Sequence, residues 1–129
     1  MKVFKNTWFT RFAEKEGIDD KDLCEAVTAA EKGLIDADYG GGVIKQRISR
    51  QNTGKSGGFR SVIFYRKGDK AFFVFGFPKK ESSNLKPDAV RIYKKAAKEI
   101  FRQTDEEIDK LIKGGVFIPV KCHEKDQDL

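Results

Sequence analysis

The residues best suited to carry out chemistry are concentrated between positions 43 and 80. This basic segment holds ten basic residues and one acid, Asp69, whereas the remainder of the chain holds 16 bases and 19 acids. The basic segment therefore has a net charge of +9 and the remainder a net charge of −3. Positive charge segregated in this way is typical of a surface that binds a polyanion, and ordinary solvated surface charge is the alternative interpretation.

A glycine-rich stretch of the basic segment, TGKSGGFR from Thr53 to Arg60, contains part of a nucleotide-binding loop. The full motif requires a glycine five residues before the glycine of Gly-Lys, and Ser49 occupies that position. The motif should also open a helix, whereas the residues after this stretch are β-branched and aromatic and predict a strand. The stretch is therefore interpreted as a loop between strands, in which Lys55 and Arg60 face phosphate.

The pattern of apolar residues predicts three strands in the basic segment, at residues 43–48, 59–66 and 71–77. The last two are joined by the short polar link 67–70, which contains a glycine and suits a tight antiparallel hairpin. Residues 71–77 are apolar on both faces, so we expect this strand to lie in the middle of the sheet.

Helical periodicity on the N-terminal side of the basic segment completes an α+β pattern, which we assign to a single domain over residues 1–129. A short strand near residues 1–5 precedes two helices that end at Gly17 and Gly33. Almost no linker separates these helices, so they predict a helical hairpin that packs on the sheet.

Helical periodicity returns on the C-terminal side, over residues 89–101. Thr104 and Glu107 have the spacing of a capping box, which predicts a further short helix. An edge strand at 116–120 and a frayed end follow, so residues 102–129 form a C-terminal extension.

The cysteines, Cys24 and Cys122, are too few for a disulfide framework and have no zinc-binding spacing, so we expect reduced, structural thiols. Ligation of a metal by residues 122–124 is a weaker alternative to an ordinary tail. The chain has neither an apolar run long enough to span a membrane nor the apolar core of an export signal. A cytoplasmic location is therefore the expectation.

Side chains alternate along a strand, so Lys45 and Arg47 should share one face of the sheet. Arg60 on the neighbouring strand is expected beside them, and arginine and lysine together suit phosphodiester groups. Phe59 and Phe77 lie next to these bases and either stack on unpaired nucleobases or belong to the core. The further bases expected to contact phosphate groups are Arg50, Lys55, Lys79, Lys80 and Lys86.

The run KQRISRQNTGKSGGFRSVIFYRKGDKAFFVFGFPKKESSN resembles the RelE-type toxins of bacterial toxin–antitoxin pairs. The similarity is to a subgroup with a basic strand, a loop ending G-G-x-R and an F-x-F-x-F strand closed by K-x-E-x-x-N. It covers about residues 1–101, including the helical hairpin and the helix after the motifs. The resemblance implies a small α+β fold with a twisted antiparallel sheet and ribosome-dependent cleavage of messenger RNA.

In such toxins the 2′-hydroxyl of the RNA attacks the adjacent phosphate without a metal ion or cofactor. Position by position, the resemblance implies that Lys45 or Arg47 activates or steadies the hydroxyl and that Arg60 neutralises the phosphorane. Lys80 would support the phosphate or the leaving group. Lys86 stands where better-studied members carry a tyrosine or histidine for proton transfer.

The resemblance also implies two partners, a cognate acidic antitoxin and messenger RNA on the ribosome, and neither a membrane nor a small-molecule cofactor. Two other functions stay open. The related ParE toxins share the sheet and inhibit DNA gyrase by binding it, and a degenerate toxin would bind RNA without cutting it. Basic residues at positions 45, 47, 60 and 80 favour the endoribonuclease.

Overall fold

The computed structural model describes residues 1–49, 58–79 and 84–122. These residues form four helices and one six-stranded sheet, which confirms the predicted α+β class. In chain order the elements are β1 (Lys2–Asn6), α1 (Thr7–Glu16), α2 (Asp20–Glu31), β2 (Ala37–Gly40), β3 (Val43–Ile48), β4 (Phe59–Arg66), β5 (Lys70–Pro78), α3 (Pro87–Phe101), α4 (Asp105–Lys113) and β6 (Phe117–Pro119).

The strand order in the sheet is β2-β3-β4-β5-β1-β6. Every pair of neighbours is antiparallel except β1 and β5, which are parallel, so the predicted antiparallel sheet is corrected at one pairing. As expected, β5 lies inside the sheet, between β4 and β1, and β6 lies at an edge. The tight link between β4 and β5 is also confirmed, with Gly68 at a φ of 72°.

The helical hairpin of α1 and α2 is confirmed and owes its sharp ends to local capping. Asn6 caps the start of α1, and Gly17 ends it in the left-handed conformation that glycine adopts without steric cost. A capping box between Asp19 and Asp22 starts α2. The apolar faces of both helices pack on one face of the sheet, which we call the hairpin face.

α1 lies very close to β5 at Gly76. A Cβ atom at this position would lie 2.5 Å from the ring of Phe12. Glycine is therefore required here by the close approach of α1 and not by an unusual backbone conformation. The opposite face of the sheet packs on α3 and α4, which bury Ala97 and Ile108 against Val43, Val62 and Phe72.

Strand β2 was not among the predicted elements. It is only four residues long and leads into three glycines, Gly40, Gly41 and Gly42, whose φ angles are 84°, 63° and 82°. The glycines form the turn into β3. A strand as short as β2 carries almost no hydrophobic period from which it could be predicted. β2 pairs with β3 through Ala37 and Lys45 and thereby extends the sheet at the edge where the basic segment begins.

The expectation of reduced cysteines is wrong in this structure. Cys24 and Cys122 form a disulfide, with their Cα atoms 5.7 Å apart and 98 residues apart in sequence. The disulfide ties the chain after β6 to α2, where the Lys121 amide also donates a hydrogen bond to the carboxylate of Asp20 at 2.9 Å. Sequence spacing could not reveal this pair, because the two residues meet only after β6 has joined the sheet beside β1.

In the part of the chain that the structure describes, none of the helices combines the length and the apolar character that crossing a membrane would demand.

Tyr65 of β4 has a structural role. Its hydroxyl donates a hydrogen bond to Glu31 of α2, which lowers the pKa of Glu31 below its ordinary value of 4.5. A lowered pKa means that Glu31 stabilises the fold above its unfolded-state pKa and that this contribution is lost as the pH falls through the folded-state value.

We therefore expect Tyr65→Phe to lower the free energy of unfolding by about 1 kcal/mol at pH 7, a small value because both groups are partly exposed. The difference from wild type should shrink as the pH falls from the ordinary pKa of 4.5 through the lowered pKa of Glu31, because the wild-type protein loses the contribution of the ionised carboxylate over that range. Urea unfolding at pH 7 and at pH 3.5 measures both values. A difference that is equal at the two pH values would contradict the role assigned to this pair.

Candidate functional site

The predicted bases of β3 and β4 lie on the sheet face opposite the helical hairpin. In β3, Ile44 and Ile48 pack in the core of the hairpin face, and side-chain alternation places Lys45 and Arg47 on the other face. The strand register sets Arg47 opposite Arg60, and Arg60 opposite Phe77. We call this patch of Lys45, Arg47, Arg60 and Phe77 the basic face.

A carboxylate that the sequence did not single out joins two of these cations. One oxygen of Asp36, Oδ2, lies 3.0 Å from Nε of Arg60 and 3.5 Å from Nζ of Lys45. The three side chains are largely enclosed, with exposed fractions of 23% for Asp36, 16% for Arg60 and 7% for Lys45. The structure thus brings Lys45 and Arg60 together, as predicted, but through a shared anion.

Asn84 is a second residue of the site that was given no role. It is the last residue of the K-x-E-x-x-N motif, and its Oδ1 accepts a hydrogen bond from Nζ of Lys45 at 3.4 Å. Lys45 is also buried as a whole residue, with 6% of its total surface exposed. An ammonium group in this position donates to oxygen on two sides, so Lys45 is suited to holding charge and not to accepting a proton.

The two phenylalanines that were expected beside the bases, Phe59 and Phe77, differ in position, and the stacking role of Phe59 is corrected. Phe59 is 5% exposed, packs in the core of the hairpin face and meets Phe12 edge to face at 5.7 Å. It faces away from the bases because it precedes Arg60 by one residue in β4. Phe59 is therefore a core residue and not a stacking surface. Phe77 does lie on the basic face but is only 7% exposed.

An exposed aromatic ring does occur near Phe77, at a residue that sequence reasoning left aside. Trp8 of α1 is 44% exposed and stacks on Phe75 with 4.5 Å between ring centroids. Phe75 lies two residues before Phe77 and shares its face of β5. The sequence could have indicated this exposed ring. Helical periodicity places Trp8 beside the apolar stripe of α1, and a tryptophan in that position is only partly buried.

The remaining predicted residues are spread more widely. Lys79 is exposed after the end of β5, where its amide donates to the carbonyl of Gly58, and Lys86 is exposed at the N-terminus of α3. Neither has a described contact with the Lys45–Asp36–Arg60 cluster. Among the predicted RNA-contacting residues, Arg50, Lys55 and Lys80 lie outside the described residues, and so do residues 123–124 of the alternative metal site.

The electrostatics of the basic face follow from these positions. Lys45, Arg47 and Arg60 contribute three positive charges, and Asp36 contributes one negative charge within ion-pair distance of two of them. The four side chains keep a net positive charge, and Arg47 is exposed. Such a patch can bind and polarise a phosphodiester. Among the described residues, no group of three or more His, Cys, Asp or Glu side chains could hold a metal ion.

Comparison with known proteins places the chain in a family. The model of the family described as RelE toxin of the RelE / RelB toxin-antitoxin system matches residues 1–120 of the 129. The comparison with curated proteins gave no match. The family match extends beyond the motifs of the basic segment and includes both terminal strands, β1 and β6. The resemblance inferred from sequence is therefore confirmed, and the chain belongs to the RelE toxin family.

Proposed function

We propose that the chain is the toxin of a type II toxin–antitoxin pair and that it cleaves messenger RNA on the ribosome. The observation that carries this proposal is the Lys45–Asp36–Arg60 cluster beside Arg47, in a chain of the RelE family. Messenger RNA on the ribosome as substrate places the action of the protein in the cytoplasm. Arg47 is exposed, whereas Lys45 and Arg60 are enclosed. This arrangement suits binding of one phosphodiester of a single strand better than broad contact with a nucleic acid.

The proposed reaction is a transesterification within the RNA. The 2′-oxygen attacks the adjacent phosphorus, the 2′-proton is removed and the bond from phosphorus to the 5′-oxygen breaks. The leaving oxygen takes up a proton, so the products are a 2′,3′-cyclic phosphate and a 5′-hydroxyl. Negative charge accumulates on the non-bridging oxygens as the phosphorane forms, and preorganised cations lower the barrier most at that point.

Each described base has a role that follows from its surroundings. Arg60 uses its Nε for Asp36, so its terminal nitrogens are left to bind the non-bridging oxygens as a fork. Arg47 lies opposite Arg60 in the register and is exposed, which suits the attacking side or a neighbouring phosphate. Lys45 is enclosed and steadies developing charge as a fixed ammonium. Lys80, outside the described residues, keeps its proposed role at the leaving group.

The proposed partner in the pair is a cognate antitoxin whose acidic segment covers the basic face. Three cations beside a single carboxylate would attract acidic side chains, and the +9 net charge of the basic segment would steer them there. An antitoxin segment and RNA phosphate would then compete for the same donors, which links binding of the partner to inhibition.

We expect purified protein to cut a defined message in a translating system and to leave 2′,3′-cyclic phosphate and 5′-hydroxyl ends. Cutting should continue when a chelator is added and free magnesium is restored to the level that the ribosome needs, because no step of the proposed reaction uses a bound metal. Primer extension locates the cuts, and the end chemistry is read by ligation of adaptors that require each type of end.

Two parallel reactions distinguish this function from its rivals. The same message without ribosomes tests the dependence on translation, and DNA supercoiling by gyrase tests the ParE-like activity. Inhibited supercoiling with an intact message would replace the proposal with a gyrase inhibitor. Tight binding to programmed ribosomes without any cut would identify a degenerate toxin.

A further inference from the structure

Asp36 has the most connected position among the carboxylates near the basic face. It lies between α2 and β2, before the basic segment begins, and its Oδ2 is shared by Arg60 and Lys45. A carboxylate is an unexpected neighbour for cations that would bind RNA phosphate, because it repels the same anion that they attract. Its presence therefore calls for a physical reason.

The backbone that carries Asp36 is fixed by a buried side chain of β3. Gln46 is 3% exposed and accepts a hydrogen bond from the Asp36 amide at 3.0 Å through its Oε1. Its Nε2 donates to the carbonyls of Ala26 in α2, at 3.0 Å, and Leu34, at 2.9 Å. On the C-terminal side, Ala37 pairs with Lys45 in the sheet. Asp36 is thus held by α2 on one side and by β3 on the other.

The hydrogen bond between Asp36 and Arg60 fixes one edge of the guanidinium and leaves the other edge open. Nε of Arg60 donates to Oδ2 at 3.0 Å. Within the described part of the chain, the terminal nitrogens of Arg60 make no hydrogen bond. A guanidinium held through Nε keeps its paired terminal donors in a fixed plane, which is the geometry that two phosphate oxygens need.

Asp36 also allows cations to be placed close together. Register sets Arg47 directly opposite Arg60, and Lys45 shares an anion with Arg60, so these three cations lie within a small area of the sheet. Without an anion between them, mutual repulsion would turn the long side chains outward, where rotamer freedom is greatest. One enclosed carboxylate offsets this repulsion and keeps the net charge of the face positive.

We propose that Asp36 is a positioning residue of the basic face, which holds the Arg60 guanidinium and the Lys45 ammonium in the orientation that binds the scissile phosphate. It does this as a hydrogen-bond acceptor and contacts no reacting atom. The role in cleavage rests on the proposed endoribonuclease function, whereas the orientation of Arg60 is a property of the free protein and is measured separately.

The test compares Asp36→Ala with Asp36→Asn in single-turnover cleavage on ribosomes programmed with a defined message. Asparagine keeps an oxygen acceptor at the same distance, so we expect its cleavage rate to stay within about threefold of wild type, whereas alanine should lose about tenfold or more. Affinity for the programmed ribosome should not fall in either variant, since each removes a negative charge from an RNA-binding surface. In an Arg60→Ala background, Asp36→Ala should cause a smaller loss than in the wild-type background, because one of the two cations that Asp36 holds is already absent.

A second measurement needs no cleavage. In ¹H–¹⁵N spectra of the free protein, the Nε–H resonance of Arg60 should be sharp and shifted in wild type and Asp36→Asn, and averaged or lost in Asp36→Ala. Assignment comes from its disappearance in Arg60→Lys. If wild type does not cut RNA but the resonance behaves in this way, the endoribonuclease function fails and the positioning role stands.

Three results would overturn the positioning role. An unchanged Arg60 resonance in Asp36→Ala would show that the hydrogen bond does not hold the guanidinium. A faster cleavage rate in Asp36→Ala would make Asp36 a competitor of the phosphate. Equal losses of about 100-fold or more in both variants, with loss of the acidic limb of the pH–rate profile, would make Asp36 a general base instead.

Discussion

Replacing Arg60 with alanine should slow the cleavage step by about 100-fold or more, which corresponds to about 2.7 kcal/mol or more of lost transition-state stabilisation. The reason is that the phosphorane carries one more negative charge than the diester from which it forms. A guanidinium on its non-bridging oxygens therefore binds the transition state more tightly than the ground state. Affinity for the ribosome should fall far less, because the other bases of the basic segment still attract RNA. Single-turnover cleavage at saturating and at limiting protein separates the two quantities.

The matched control is Lys67→Ala, in the tight turn between β4 and β5. Lys67 is exposed and has no described contact with the Lys45–Asp36–Arg60 cluster, so its removal takes one charge from the attractive field and leaves that cluster intact. We expect slightly weaker binding and an unchanged cleavage step. Arg60→Lys is a second control, which keeps the charge but loses the fork and the Nε–H bond to Asp36.

Similar behaviour of Arg60→Ala and Lys67→Ala would contradict the assigned role. The basic segment would then bind anions without a specific role for Arg60. The function of a gyrase inhibitor or of a non-cutting RNA-binding protein would fit the chain better. Thermal unfolding of each variant is needed beside the kinetics, because Arg60 is one of two partners of Asp36. Lys45 remains as the second partner after the substitution, so we expect the Arg60→Ala fold to persist.

The elements that the sequence predicted correctly are those whose signals are local. The hairpin of α1 and α2 is marked by Gly17 and by the Asp19–Asp22 capping box, and both lie within a few residues of the ends that they define. The central place of β5 follows from its apolar character on both faces. The parallel pairing of β1 with β5 could not be predicted in this way, because it joins segments nearly 70 residues apart and has no turn to define it.

The site was predicted to the extent that strand alternation determines it. Lys45 and Arg47 share a face because they are two residues apart, and by the same rule the adjacent Phe59 and Arg60 must face opposite ways. Applied to Phe59, whose role the sequence analysis left open, that rule would have decided for the core interpretation. Asp36 could not be predicted as a residue of the site, because it lies outside the basic segment and precedes a strand too short to recognise from sequence. Only the pairing of β2 with β3 brings its carboxylate to the bases.

The second large effect should be on stability. Reducing the disulfide between Cys24 and Cys122 is expected to lower the free energy of unfolding by about 4 kcal/mol, because it closes a loop of nearly 100 residues in the unfolded chain. Urea unfolding of the wild-type protein with and without a thiol reductant measures the difference on one sequence. The double variant Cys24→Ala/Cys122→Ala should resemble the reduced protein and should not respond to reductant.

Titration of two free thiols in the native, unreduced protein would contradict the pairing, and equal unfolding curves with and without reductant would contradict its contribution to stability. Cleavage is expected to survive reduction, in contrast to stability. The disulfide lies on the hairpin face, close to the edge of the sheet that β6 forms. The cluster of Lys45, Asp36 and Arg60 lies on the opposite face, on the other side of β5. Without the disulfide, β6 still pairs with β1, and the Lys121 amide still reaches Asp20. The proposed action in the cytoplasm would require this independence, because thiols there are kept reduced.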